Sequence, residues 1–350
     1  MPFRALNSAC VDQQGDQTVK SVCIVGAGAV GGLLGARLAA QGARVAALAR
    51  GATAKALREH GWRLHEATRH MGGPARVAED SRDLGPQDLV VIALKATTLP
   101  QLAPQISHLI GPDTTVLTAM NGVPWWFFQG FGGPCEGMAL HSVDPGGVTA
   151  QAIPTPRVLG GVVHLSCSVV EPGVTRLASG NRLIIGEPDG SQSPRLQVLA
   201  DLLTRAGFDV EPTQRVQHEI WYKLWGNMTI NPISAFTSAT GDLILDDPLV
   251  ARFCLDCMEE AKQIGARFGC HIEQSGEDRN RVTRKLGALQ TSMARDVKAG
   301  RPVELDALVG VVREIALALG EPTRAIDTLL GLARLHARMH GLYPPAAPAS

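Results

Sequence analysis

The stretch Val22–Gly42, VCIVGAGAVGGLLGARLAAQG, constrains this chain more than any other. Four apolar, strand-forming residues run without a break into Gly26-Ala27-Gly28-Ala29-Val30-Gly31, and an Ala/Leu-rich helical segment follows at once. In such a strand–turn–helix unit the first glycine permits the tight turn. The second lets a backbone approach a pyrophosphate, and the third lets the helix pack closely on the strand. The free N–H groups at the helix N-terminus, carrying a positive partial charge, then face the phosphates. Residues 26–31 are therefore expected to hold a dinucleotide, at the head of a parallel sheet flanked by helices.

Short apolar runs continue at Val45–Leu48, Leu89–Leu94 and Thr115–Thr118, separated by amphipathic stretches, as in a doubly wound α/β sheet. From Pro156 to Glu187 the pattern changes to strand and turn, punctuated by EPG, SGN and GEPDG, which predicts antiparallel hairpins added at the sheet edge. A helix over Arg195–Arg205 and a strand near Val210 would close this part. Beyond Glu211-Pro212 the periodicity is helical, over His218–Ile230, Pro248–Arg267, Asp278–Met293, Glu304–Leu319 and Arg324–Met339. The expected architecture is thus α/β: an N-terminal Rossmann-type doubly wound sheet with added antiparallel strands over 21–213, then an all-helical C-terminal domain over 214–340. Residues 1–20 read as a loose extension and 341–350 as a tail.

Composition removes competing classes. With 350 residues and 45% hydrophobic content, the chain can form two domains with ample cores. Its 33 Lys+Arg balance 33 Asp+Glu, which argues against a nucleic-acid partner. No apolar run approaches the ~18 residues of a membrane span, and the first twenty residues lack a secretory apolar core. Seven scattered cysteines do not suggest a disulfide framework. The expectation is a cytoplasmic protein with no membrane partner.

The end of the second strand bears on which dinucleotide binds. An NAD site usually places an acid there, on the ribose hydroxyls. Here the chain reads AALARGATAK, with Arg50 and no acid, and Lys55 nearby. A guanidinium can pair with a 2′-phosphate that an acid would repel. NADPH/NADP is the expected cofactor.

In the second half, HEIWYKLWGNMTINPISA places Lys223, Asn227 and Asn231 four residues apart, along one helical face. An ammonium and two amides amid Trp221, Leu224, Trp225, Met228 and Ile230 suit a small polar ligand, although a solvent-facing stripe has the same spacing. Pro232 predicts a bend or an end at Asn231.

Taken together, GAGAVG, KATTLPQ after DLVVIAL, MNG after the next strand, KLWGNMTINP and SMARDVKAGRPVELD resemble the ketopantoate reductase (2-dehydropantoate 2-reductase) family, from about Val19 to Met339. The resemblance implies NADPH-dependent reduction of ketopantoate on the route to pantothenate and coenzyme A. It makes Lys223 the general acid, and Asn227 and Asn231 the substrate-binding amides. Ser292 falls where a serine grips the substrate carboxylate, and Glu304 where an acid lies near the nicotinamide ribose and the catalytic lysine. Lys95 and Asn121 match cofactor-contacting positions, with Asn121 also beside substrate, and Arg50 matches a basic residue at the 2′-phosphate. Ser166 falls at a cofactor contact. The implied partner is a small 2-oxo acid, and a homodimer is compatible with the family.

Some features depart from that pattern. Val123-Pro124-Trp125-Trp126-Phe127-Phe128 follows Asn121-Gly122 where small or polar residues are common, and could either narrow the pocket or form local core. Residues 140–157 read as a longer loop, a candidate flap. Thr240 replaces an asparagine that often contacts substrate. These departures leave open a related reductase of another branched or aromatic 2-oxo acid; a dinucleotide sensor without turnover is a further alternative. Cys254 and Cys257 form a CxxC inside a helical pattern with no second pair, which reads as buried helix cysteines rather than a metal site.

Overall fold

The computed structural model describes residues 19–345 except 68, 286 and 289; the expected N-terminal extension therefore lies, for residues 1–18, outside the described residues. The chain begins with β1 (Ser21–Val25), α1 (Ala29–Ala40), β2 (Arg44–Leu48), α2 (Gly51–His60), β3 (Trp62–Glu66), β4 (Arg69–Gly73) and β5 (Arg76–Ala78). It continues through β6 (Leu89–Ile92), α3 (Leu99–Ile106), β7 (Thr115–Thr118), α4 (Val148–Ala152), β8 (Val158–Glu171), β9 (Val174–Gly186), α5 (Pro194–Arg205) and β10 (Asp209–Pro212). Helices follow: α6 (Val216–Thr237), α7 (Gly241–Asp246), α8 (Pro248–Phe268), α9 (Gly276–Arg284), α10 (Ser292–Lys298), α11 (Val311–Leu319) and α12 (Arg324–Met339).

The strands form one ten-stranded sheet in the order β4-β3-β9-β8-β7-β6-β1-β2-β5, with β10 also on β9. Strands β5, β2, β1, β6, β7 and β8 run parallel. β1 lies between β2 and β6, so the chain changes direction across the sheet at the β1/β6 crevice, where ligands of open α/β sheets settle at the carboxyl ends of the strands. Gly26, Arg50, Lys95 and Asn121 follow the carboxyl ends of β1, β2, β6 and β7.

Where several edge hairpins were expected, the sheet holds one long hairpin inside it. β8 joins the parallel strands through β7, and β9 pairs antiparallel with β8. The far side of β9 is shared by β3 over Val174–Leu177 and by β10 over Arg182–Ile185. A 13-residue strand is long enough to carry two short neighbours end to end. The β3–β4 hairpin was not anticipated: WRLHE and RHMGG lack a continuous apolar run because only one side of the strand is covered.

Three helical expectations are corrected. α6 does not stop before Pro232 but runs to Thr237, with Pro232 inside it and buried; burial of most of the helix circumference overrides the local preference for a break. The single helix expected over Asp278–Met293 is two, α9 and α10, separated by a segment in which Gly287 takes φ 65° and capped afresh by the Thr291 hydroxyl on the Ala294 N–H. The helix expected from Glu304 opens with a π-helical turn at Asp306–Gly310. In the expected tail, Leu342 is buried and accepts a backbone hydrogen bond from Val303 at 3.1 Å, so at least that part belongs to the packed structure.

Two hydrophobic clusters organise the interior. One lies between the sheet and α1 and α5. The other begins on the opposite sheet face, at Val25, Val90, Ile92 and Val116, and continues into α6, α8, α11 and α12. Trp126, Phe127 and Phe128 belong to it, fully buried, with Phe127 and Phe128 packed edge-on against Phe268. Local core is therefore the correct reading of most of the aromatic run. The expected flap is likewise fastened: Leu140 and Ile153 are buried in the same cluster, and the N–H groups of His141 and Ser142 donate to the Glu314 carboxylate. Cys254 and Cys257 are both buried in α8.

Candidate active site

The glycine turn shows why its residues are what they are. Gly26 has φ 94°, and a Cβ there would lie 2.8 Å from the Ala93 carbonyl oxygen. A Cβ on Gly31 would lie 2.1 Å from the Gly26 carbonyl oxygen, so no other residue lets α1 meet β1 as it does. Gly28 differs: it has ordinary φ, and a Cβ would meet no protein atom within 4 Å. Neither packing nor backbone conformation requires a glycine there. The bare surface left at the N-terminus of α1, where Ala29 and Val30 begin the helix, fits a pyrophosphate in close approach. Arg50, exposed at the N-terminus of α2, reaches across to Gln105 of α3 with a 2.7 Å hydrogen bond.

Helix α6 brings the catalytic candidates to this edge. It is buried over most of its circumference, so each polar side chain on it needs either a partner or a use. Gln217 donates to the Pro188 carbonyl at 2.5 Å. Ser234 is 3.0 Å from the Asn231 carbonyl and 2.5 Å from the Thr291 hydroxyl. Lys223 donates to the Asn121 amide oxygen and to the Val163 carbonyl, both at 2.8 Å. An ammonium has three protons, and these bonds fix two, leaving one to point elsewhere. Among the described residues no hydrogen bond occupies the side-chain amide of Asn227 or Asn231. Lys223 and Asn227 line one small cavity with Met120, Gly122, Gly161 and Ile220; the last four also line an adjoining cavity beside Ala96, Asn121 and Trp125.

The electrostatics favour proton donation near neutrality. Burial pulls the Lys223 ammonium down to about 8, and the Glu304 carboxylate opposes that shift. Glu304 is buried, accepts the Ala96 N–H at 2.8 Å, and is pushed above the usual carboxylate range by burial. Lys95, expected at the cofactor, is ion-paired with Asp296, a buried acid that also accepts from Arg301 at 3.0 Å. Sequence reasoning assigned Asp296 nothing; the acid in SMARD, four residues after Ser292 on a helix with buried positions, was the available signal. His164, also unassigned, is held neutral at neutral pH, its pKa lowered to about 4 first by burial and then by Lys223.

The remaining expected residues fall around α6. Ser292 opens α10, a helix that packs on α6, and is itself exposed beside the Thr291–Ser234 contact. Thr240 precedes α7 and bonds the Asp242 carboxylate, next to Gly241, whose hydrogen side faces Ile230. Ser166 is half-buried on β8, between two register shifts, and follows His164 by two residues. The structure thus brings Lys223, Asn121, Asn227 and Glu304 together, and sets Asn231, Ser292, Thr240 and Ser166 on adjoining elements.

Comparison with known proteins agrees with this arrangement. Residues 22–124 match the profile of ketopantoate reductase PanE/ApbA, and residues 215–337 match that of its C-terminal part. The chain is 41% identical over 323 residues to the 2-dehydropantoate 2-reductase of Mesorhizobium japonicum, covering 92% of this chain and 99% of that one. A Ralstonia solanacearum structure assigned to ketopantoate reductase superposes with TM-score 0.90 at 56% identity, covering 93% of this chain and all of that one. D-mandelate dehydrogenase with NADH and anilino(oxo)acetate shares the fold, with TM-score 0.78 at 19% identity and 92% and 99% coverage. The chain belongs to the ketopantoate reductase family, and is an oxidoreductase of the CH–OH/C=O type with a nicotinamide dinucleotide site.

Proposed function

We propose that the protein reduces the ketone of 2-dehydropantoate to pantoate with NADPH, serving pantothenate and coenzyme A synthesis in the cytoplasm. The observation that carries this reading is Lys223: a half-buried ammonium near its working pKa, fixed by two acceptors, with one proton to give. Bound NADPH supplies the hydride to the ketone carbon. As the ketone oxygen gathers charge, the third N–H of Lys223 meets it and donates the proton. Asn121 and the Val163 carbonyl aim the ammonium, and Glu304 keeps it protonated against the cost of burial. The free amides of Asn227 and Asn231, with Ser292, hold the rest of the substrate without adding charge. Arg50 favours NADPH over NADH by receiving the 2′-phosphate, while Lys95 and Ser166 attend the cofactor.

Among the described residues no helix is long and apolar enough to cross a membrane, and the cytoplasmic assignment rests on the metabolic role. A relative from Staphylococcus aureus is dimeric, which makes a homodimer the assembly to test. A second reading, another branched or aromatic 2-oxo acid, is favoured by Trp125, which lines the cavity next to Asn121. The test is NADPH consumption with ketopantoate, 2-ketoisovalerate and phenylpyruvate. A kcat/KM for ketopantoate well above the others supports the first reading. Preference for either alternative moves the substrate, and no turnover with NADPH bound removes both.

A further inference from the structure

The last helix is apolar on two opposite sides. Inward, α12 buries Ile326, Leu329, Leu330, Ala333 and Ala337. The outer side of such a helix is ordinarily polar. Here Leu332, Leu335 and Met339 lie on it, three and four residues apart, and are 54%, 60% and 76% exposed. Thr328, one turn before Leu332, turns its hydroxyl back to the Arg324 carbonyl at 2.9 Å, so its polar group is satisfied inside the helix. From Thr328 to Met339 the outermost line of α12 therefore carries no charge. Helices apolar all round are buried ones, yet no described residue covers this side.

Gly331 lies on the same outer side. Glycine in a helix interior is unfavourable relative to alanine, and a Cβ at Gly331 would meet no atom within 4 Å. Packing within the chain thus gives no reason for a glycine here. A second backbone crossing the stripe does, because without a side chain at the crossing two helices approach most closely.

Charge sets the direction of that second helix. Asp327, Arg334 and Arg338 follow one flank of the stripe, at spacings of seven and four. The Oδ1 of Asp327 accepts from Arg313 at 2.8 Å and Thr323 at 3.0 Å, whereas its Oδ2 has no partner among the described residues. Arg338 donates through Nε to the Pro344 carbonyl at 3.0 Å, and its terminal amino groups make no hydrogen bond among the described residues. A parallel copy of α12 would set acid against acid and arginine against arginine. An antiparallel copy sets each Asp327 beside the arginines of the other helix. The midpoint between Asp327 and those arginines falls next to Gly331, where the close crossing is wanted.

We propose that the outer face of α12 is a self-association surface, on which two copies of the chain pair antiparallel about a two-fold axis near Gly331. Such an isologous contact needs a patch complementary to itself, and this one joins an uncharged stripe to a flank of both signs. The inference rests on the homodimer reading above and gives it a surface. A 16-residue helix is about 24 Å long. One such helix pair buries less than the roughly 800 Å² per partner of a standard interface, so monomer and dimer should exchange at micromolar concentrations.

Sedimentation velocity of the full chain over roughly 1–200 μM tests this. Wild type should pass from monomer to dimer across that range. Leu335→Asp should raise the dissociation constant by about 100-fold, the scale of a lost anchor replaced by a buried charge, without lowering the melting temperature of dilute protein. Gly331→Ala separates this surface from a merely structural role. It should raise the melting temperature of the dilute monomer, since alanine favours the helix, yet weaken the dimer by about tenfold. Asp327→Arg and Arg338→Asp should each dimerise poorly alone and pair with one another when mixed. A dimer that Leu335→Asp and Gly331→Ala leave equally tight lies on another surface; that overturns this proposal and leaves the homodimer reading standing. Failure of the two charge variants to pair on mixing overturns the antiparallel arrangement. Wild type that stays monomeric throughout overturns both, and one that dimerises only after removal of residues 1–18 assigns the face to that segment instead.

Discussion

The Lys223 ammonium and the Asn121 amide oxygen meet at 2.8 Å, joining α6 to the loop that follows β7. Their sequence separation is 102 residues, so the contact exists only once the helical half is docked on the sheet. Asn121 thereby holds the Lys223 ammonium, a contact beyond the cofactor and substrate contacts expected for it. Asn121→Ala should let the ammonium rotate away from a productive line, lowering kcat by about 10- to 100-fold, the scale of a misplaced catalytic group. Steady-state kinetics checks this, and an unaltered kcat would show that the Val163 carbonyl alone suffices.

Glu304 raises the Lys223 pKa against the larger lowering effect of burial. Glu304→Gln removes that support, so the ammonium should lose its proton at lower pH. The falling limb of kcat/KM should then move below its wild-type position. A limb that stays in place, or moves up, would separate Glu304 from proton donation and leave it only its bond to the Ala96 N–H.

Gly28 and Gly31 make a matched pair. Gly28→Ala meets no protein atom, so the melting temperature should hold while NADPH binding weakens by about tenfold or more. Gly31→Ala must displace backbone and should lower the melting temperature of the free protein. Thermal unfolding and a fluorescence titration distinguish them; an unaltered NADPH affinity in Gly28→Ala would mean that the bare surface is not where the pyrophosphate lies.

Arg50 follows β2 by two residues, and among the described residues its guanidinium has Gln105 as its one hydrogen-bond partner. Arg50→Glu should raise the KM for NADPH by at least about tenfold, since it replaces attraction to a 2′-phosphate by repulsion, while leaving NADH nearly unaffected. Equal losses for both cofactors would contradict the 2′-phosphate role.

The parts of the molecule that local physics dictates were readable in the sequence. The glycine turn, the four short parallel strands and the Arg324–Met339 helix follow from runs, spacing and caps. Pro232 misled because local preference signals a break, whereas a helix enclosed by the core pays for one missing hydrogen bond through packing. β3 and β4 were illegible because β3 is placed by long-range pairing with β9, β4 is held in turn by β3, and one side stays wet. Lys223, Asn227 and Asn231 could be placed on one face, but their distinction from a solvated stripe depends on burial, which only the docked structure supplies. Asp296 was missed for the same reason: a charged residue on a helix looks ordinary until its partners, here Lys95 and Arg301, are seen.

The pH dependence of ketopantoate reduction tests the central claim most directly. Lys223 must be protonated to act, so with NADPH kcat/KM should be level at neutral pH and fall about tenfold per pH unit once pH rises through the value near 8. Lys223→Ala should lose most of kcat and the limb with it, while still binding NADPH. A wild-type profile that stays level well above 8, or a Lys223→Ala variant that keeps the limb, would contradict the account.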